Sequence, residues 1–217
     1  MALAGSRAEM PGYLRAALTA FNPGMPDGWA YTLTTVRNNH SMTERFDPTQ
    51  PPAAQWTLLE LEDRTPTQDE IEKYARSRSA GPGGTQTTFK KDDIDPGTFV
   101  LLKEDDAQAE FTATFRETST GADKMLGHLI LHLTVDKRLP HVAACVLELK
   151  EPYSPVLGVK MNELRVETRF SLPAEGRPSV PMEVTSRFAG RIFFISTGEN
   201  LRLTYRDQAP PQMELSR

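Results

Sequence analysis

Cys145 is the only cysteine in 217 residues, so neither an intramolecular disulfide nor a cysteine-based zinc site can form. It lies in the apolar run Val142 to Leu149, where a free thiol acts as a small buried hydrophobe. No stretch approaches the roughly 18 consecutive apolar residues of a membrane helix. Lysine and arginine are scattered, and the formal charge is -4, so no electrostatic footprint points to nucleic acid or an anionic membrane surface. Gly-x-Ser-x-Gly is missing, no spacing of Ser, His and acid matches a nucleophile motif, and no glycine-rich phosphate loop links a strand to a helix. Only four histidines occur. His128 and His132, four apart on a strand, are separated by about 13 Å, and His40 and His141 have no fixed register with them. No metal site, cofactor or catalytic residue is expected.

What remains is an ordinary globular composition, 38% hydrophobic and 25% charged, which fits a water-folded chain and excludes collagen-like and disordered classes. The length suits a single domain over 1–217, with 1–10 and the Pro-rich 208–217 frayed. Met1 to Gly5 contains the small residues of a cleavage region without the basic and apolar parts before it. Both a trimmed secretory leader and a cytoplasmic start at Met1 are compatible with it.

Tyr13, Leu14, Ala17, Leu18 and Phe21 recur at helical spacing, predicting a helix over Pro11 to Phe21 that Asn22, Pro23 and Gly24 end. Thr67 and Glu70 have capping-box spacing before a second helix, Gln68 to about Arg78, with acids first and bases last. The glycine-rich run from Ser79 and the polar Lys90 to Asp93 predict a flexible loop over 79–97.

Elsewhere the period is two. Trp29, Tyr31 and Leu33 alternate with polar neighbours, Asn38 and Asn39 mark a turn, and Met42, Glu44 and Phe46 share a face of the returning strand. Further strands are read over Gln55 to Leu61, around Phe111 to Phe115, through Met125, Gly127, Leu129, Leu131, Leu133 and Val135, and from His141 to Lys150. Lys160 to Leu172 sets Leu164, Val166 and Phe170 against Glu163, Arg165, Glu167 and Arg169; Val180 to Ile195 turns Met182, Val184 and Phe188 inward; Leu201 to Tyr205 closes the series. So many antiparallel strands with few helices must curl as twist accumulates, with Gly127 and Gly190 as bend points inside strands. The expected fold is mainly β (α+β): a strongly curved antiparallel sheet, an incomplete barrel, with a few helices covering its concave face.

Glu44, Arg45 and Asp47 form a dense group, read as cross-strand ion pairs in preference to a hydrolytic site. The inward apolar residues are either core or the wall of a pocket. Candidates for such a wall are Trp29, Tyr31, Trp56, Leu129, Leu131, Leu133, Leu164, Val166, Phe170, Val184 and Phe188.

The strand opening at Trp29, the segment Glu44 to Pro48, the run Trp56 to Leu59, and Arg64 to Thr67 before a helix carrying Tyr74 are followed by Glu151 to Pro155, Gly158 to Lys160, Arg169-Phe170, Gly190 to Phe193 and Tyr205 to Asp207. Together they resemble the LolA-like family of periplasmic lipoprotein carriers of Gram-negative bacteria. The resemblance implies a curved sheet, helices plugging its concave side, and a cavity for the acyl chains of a lipid or lipidated protein. It also implies a periplasmic location after signal cleavage, no enzymatic activity, and an envelope-protein partner. The alternative is a structural or interaction module without a ligand.

Overall fold

The computed structural model describes residues 10–79, 89–116 and 121–211. Its elements are α1 (Gly12–Ala20), β1 (Ala30–Arg37), β2 (His40–Phe46), β3 (Trp56–Leu61), α2 (Gln68–Ser79), β4 (Val100–Glu104), β5 (Gln108–Ala113), β6 (Leu129–Asp136), β7 (His141–Leu149), β8 (Val159–Phe170), β9 (Pro181–Ile192) and β10 (Ile195–Ala209). The ten strands make one antiparallel sheet in the order β3-β2-β1-β10-β9-β8-β7-β6-β5-β4. The sheet is open, with β3 and β4 as its edges. α2 packs beside β3, while β4 is only five residues long, carries Lys103, and is kinked by a bulge between Leu101 and Lys103. All four devices blunt an exposed edge.

Residues directly opposite one another on paired strands share a face, and the register carries one apolar face across the sheet. Leu58, Glu44, Leu33 and Tyr205 are successive partners, and Leu203, Val184, Thr168, Cys145, Leu133 and Phe111 form a second such row. The opposite face is laced by cross-strand ion pairs: Arg165 with Glu148 at 2.8 Å, Arg187 with Glu163 at 3.3 Å, and Arg202 with Glu183 at 3.3 Å. They are solvent-screened and contribute at most about 1 kcal/mol each. Their main effect is to keep that face in water and the other in the interior.

α1 covers the apolar face over β5 to β8. Leu14 (0% exposed), Ala17 and Phe21 interlock with Phe111, Leu131, Leu133, Cys145 and Phe170, and Phe21 meets Phe170 edge-on at 5.4 Å. Each buried Leu or Phe contributes about 1.5–3 kcal/mol, which holds a nine-residue helix too short to persist alone. A smaller cluster of Leu33, Val184, Leu201 and Leu203 lies over β1, β10 and β9, joined to the first through Val166. Burial pushes the Cys145 thiol up to about 12, against the opposing hydrogen bond with Thr168.

Asn38 and Asn39 both adopt positive φ (48° and 72°), the conformation a two-residue hairpin demands and asparagine tolerates. Gly190 lies where an added Cβ would come within 2.6 Å of the Lys160 carbonyl oxygen and 2.8 Å of the Phe188 ring. The register of β8 and β9 shifts at that level, between Met161 and Glu163.

The structure departs from the sequence reading at several places. β4 was not foreseen, because Val100, Leu101 and Leu102 do not alternate with polar residues; all three are exposed. Val180 to Ile195 is not one strand: the chain turns at Phe193 and Phe194, and the returning β10 runs fifteen residues to Ala209. Gln208 and Ala209 are therefore in the sheet rather than frayed, Ala209 pairing with Ala30. Met182, expected inward, is 49% exposed, near the shift between Arg169 and Phe170 that ends the regular pairing. Gly127 sits in the 3₁₀ segment Gly121–His128, not inside a strand. Of the expected loop 79–97, residues 80–88 lie outside the described residues, as do 1–9 and 212–217. From Phe89 onward the chain packs inward: Phe89 and Ile94 are buried, and Ile94 bridges to Phe115.

Candidate functional site

The sheet face left beside α1 carries a cleft of about 300 Å³ over β10, β1, β2 and β3. The β1–β2 hairpin contributes Tyr31, Leu33, Met42 and Glu44, β3 contributes Trp56 and Leu61, and β10 contributes Leu203 and Tyr205. A bulge in β3, opposite Thr43 and Glu44, lets both Leu58 and Leu61 pair on this face, opposite Glu44 and Met42. Tyr31 is the hub of the aromatic wall. Its ring centroid lies 5.9 Å from Trp56 in an edge-on arrangement, 5.5 Å from Tyr205 and 5.2 Å from Phe46. Burial, then the neighbouring Tyr205 and Glu44, push the Tyr31 phenol up to about 12, so it stays neutral across the physiological range. Arg37, His40 and Glu62 stand among the polar lining residues, with His40 Nδ1 2.9 Å from Glu62.

Glu44 is the exception on this apolar face. It is 1% exposed, flanked across the ladder by Leu33 and Leu58. A carboxylate so placed needs its charge met by donors, and α2 supplies them. Tyr74 donates its hydroxyl to Glu44 at 2.6 Å, and the Arg78 guanidinium donates from Nε at 3.1 Å and from Nη2. Arg78 also lies 4.4 Å above the Trp56 ring. Burial alone would lower the Arg78 pKa, but the hydrogen bonds to Glu44 and Tyr74 outweigh it and raise it. Burial and then the bond to Glu44 drive the Tyr74 phenol up as well. α2 starts where the capping box predicts: Glu70 accepts the Thr67 backbone N–H at 2.8 Å, and Arg64 clasps the same carboxylate at 2.7 and 2.9 Å. That clasp, with the bonds from Thr67, holds the Glu70 carboxyl down at about 2.

The candidate residues fall into distinct places. Tyr31 and Trp56 line the cleft. Val184 lies beside it in the smaller apolar cluster, and Val166 packs against both clusters. Leu129, Leu131, Leu133 and Phe170 are close-packed in the cluster under α1, with Leu164 against it, so these are core and not the wall of an open space. Phe188 lies over Gly190. Trp29 precedes β1, is 7% exposed, and belongs to neither cluster.

The trio Glu44, Arg45 and Asp47 is not gathered. Alternation puts Arg45 on the other face, donating to Thr32 at 3.3 Å and to the Asp207 carbonyl at 3.2 Å, while Asp47 accepts from Thr49 in its own loop. Among the described residues the expected cross-strand ion pairs are not formed, since Glu44 pairs with Arg78 of α2 and neither Arg45 nor Asp47 has a salt-bridge partner, and the three side chains are not gathered for hydrolytic chemistry. The histidines are likewise dispersed: His128 stacks on Tyr153 at 3.7 Å, and His141 contacts the Leu139 carbonyl at 2.6 Å. Among the described residues no three His, Cys, Asp or Glu side chains gather as metal ligands, and no helix is long and apolar enough to cross a membrane. The reading from sequence missed Tyr74 and Arg78 as partners of Glu44. The available signal was an acid at the inward position between Met42 and Phe46.

Comparison of the chain with protein-family models, with curated proteins and with solved structures returned no match. Nothing in these comparisons identifies the LolA-like family, so that resemblance rests on the sequence motifs alone.

Proposed function

We propose that this protein is a non-catalytic binder of a hydrophobic ligand, an acyl chain of a lipid or lipidated protein, held against the sheet face at the Tyr31–Trp56–Tyr205 cleft. The observation that carries the reading is the cleft itself: about 300 Å³, at the lower end of the range for small-molecule sites, with Tyr31, Leu33, Met42, Trp56, Leu203 and Tyr205 as an apolar wall beside a polar stretch that includes Arg37, His40 and Glu62. In this reading the open sheet curls as an incomplete barrel around the cleft. The charges on its wall are met by partners, Glu44 by Arg78, Glu62 by His40 at 2.9 Å and Arg37 by Glu199 at 3.2 Å, and of these only Glu44 is buried. α2 borders the cleft without closing it into the core, which leaves a route by which the cleft can widen. Each methylene buried is worth about 0.8 kcal/mol, so a dozen yield on the order of 10 kcal/mol before entropic losses. Residence in the bacterial envelope, and an envelope protein as donor or acceptor of the ligand, follow from the sequence resemblance.

Native mass spectrometry of the purified protein, with organic extraction and lipid analysis, tests this directly. A bound acyl species, and quenching or enhancement of Trp56 emission on titration with a long-chain fatty acid, are expected. Leu203→Glu, which puts a charge into the cleft, abolishes both. No co-purifying lipid and no fatty-acid response would replace the proposal with a ligand-free structural module.

A further inference from the structure

β8, β9 and β10 outrun their neighbours. β7 pairs with β8 only from Arg165 to Arg169, and β1 pairs with β10 only from Leu201 onward. Val159 to Leu164, Arg187 to Ile192 and Ile195 to Asn200 therefore form a three-stranded ribbon that projects about 20 Å, six residues at about 3.3 Å each. Its end is apolar. The β9–β10 turn exposes Ile192, Phe193, Phe194 and Ile195, and the loop entering β8 exposes Val156 and Leu157 beside it; Leu157 is 99% and Phe194 96% exposed. The two loops are stitched together: the Phe193 backbone N–H donates to the Gly158 carbonyl at 2.5 Å, and the Phe193 ring fills the space a Gly158 side chain would need.

One rung behind this tip, Lys160, Arg191 and Ser196 are direct cross-strand partners. Like charges opposite one another repel, and among the described residues neither cation has a carboxylate within 4.0 Å. The nearest acids along the strands are engaged elsewhere, Glu163 with Arg187 and Glu199 with Arg37. Residues 152–162 and 188–198 contain Lys160 and Arg191 and no acid, a local charge of +2 on a chain of -4. The scatter of charge along the sequence hides this pairing, because register brings together residues 31 apart.

We propose that the ribbon tip docks on an anionic lipid bilayer, with Leu157 and Phe194 entering the interface and Lys160 and Arg191 lying at headgroup depth. A protruding apolar knob has no shape of its own to match, and a fluid bilayer accepts it without a preformed pocket. Aromatic and aliphatic residues backed by basic ones are the chemistry of interfacial anchoring. This attachment is separate from the acyl cleft and uses none of its residues.

Sedimentation with vesicles tests it, comparing pure phosphatidylcholine with a mixture containing phosphatidylglycerol, without added fatty acid. Binding to the anionic vesicles, weakened by salt, is expected. Leu157→Ser with Phe194→Ser, which spares the Phe193 stitch, lowers partitioning on the order of a hundred-fold, each side chain being worth roughly ten-fold. Lys160→Gln with Arg191→Gln lowers it roughly 25-fold on anionic vesicles, about five-fold per charge, and leaves phosphatidylcholine binding unchanged. Equal binding by wild type and both variants, or none by any, overturns the proposal. Concentration-dependent dimerisation without vesicles that the Leu157/Phe194 variant abolishes also overturns it, by assigning the tip to a second copy. Fatty-acid titration of the tip variants remains normal if only this inference fails, and is absent in wild type if only the cleft reading fails.

Discussion

Arg78→Met tests whether the buried carboxylate of β2 is what holds α2. The substitution keeps much of the side chain's length and leaves Glu44, 1% exposed, with Tyr74 as its one remaining hydrogen-bond donor among the described residues. Stranding one member of a buried pair costs about 3–5 kcal/mol. α2 has little with which to absorb that: Ile71 is 38% exposed, and none of residues 68–78 is buried. The helix therefore detaches locally while the core under α1 stays folded. Hydrogen exchange followed by mass spectrometry reads this as loss of protection in α2 and at Glu44, with β6 and β7 unchanged. Glu44→Leu is milder, about 1 kcal/mol, because a freed Arg78 can swing into water whereas Glu44 on its strand cannot. Glu44→Leu combined with Arg78→Met recovers part of the Arg78→Met loss, since both buried charges are gone. Unchanged α2 protection in Arg78→Met, or a greater loss in Glu44→Leu than in Arg78→Met, would refute the reasoning.

Gly190→Ala brings a methyl within 2.6 Å of the Lys160 carbonyl and 2.8 Å of Phe188, and lowers stability by about 1–3 kcal/mol in urea unfolding; a neutral result would mean that the bulge in β8 relaxes freely. The Glu70 carboxyl is held at about 2, below its ordinary 4.5, so its contribution to the start of α2 is complete above about 4.5 and fades as pH falls towards 2. Exchange at the first turn of α2 accelerates over that window in wild type, and Glu70→Gln removes the pH dependence; the same acid profile in both proteins would exclude this group. Cys145, with its thiol pushed up to about 12 by burial, reacts with a thiol reagent at pH 8 only as fast as the protein unfolds. Labelling of the native protein within the mixing time would contradict its place in the core.

The parts of the fold legible in the sequence are those with a strong local period. β6 places Leu129, Leu131, Leu133 and Val135 on one face, with Ile130 the single break in the alternation, and α1 repeats its apolar residues at helical spacing, so both could be placed before any contact was known. Asn38-Asn39 marks its own turn because few other residues accept positive φ twice in succession. The turn at Phe193 and Phe194 carries no such mark. Phe193 has φ of 52°, a conformation bulky residues avoid, and it is held there by Gly158 from another loop. A turn stabilised by a distant partner reads locally as more strand, and β9 and β10 merged for that reason.

The cleft was half legible for a related cause. Strand parity correctly assigned Tyr31, Val184 and Leu131 to one face, but whether an inward residue meets a helix or an open space depends on where α1 stops. Leu131 and Tyr31 obey the same alternation, and only Leu131 has α1 on top of it. Apolar binding surfaces leave no spacing rule behind, since any sufficiently large side chain serves. The polar exception leaves one. Glu44 occupies an inward position between Met42 and Phe46, where an unpaired carboxylate would cost several kcal/mol, so its presence requires a cation from outside the sheet. The choice of candidates is narrow: α1 carries Arg15 alone, and α2 carries Lys73, Arg76 and Arg78. An acid at the wrong parity of a strand thus points to the helix that must dock over it, and to the side of the sheet on which that helix lies.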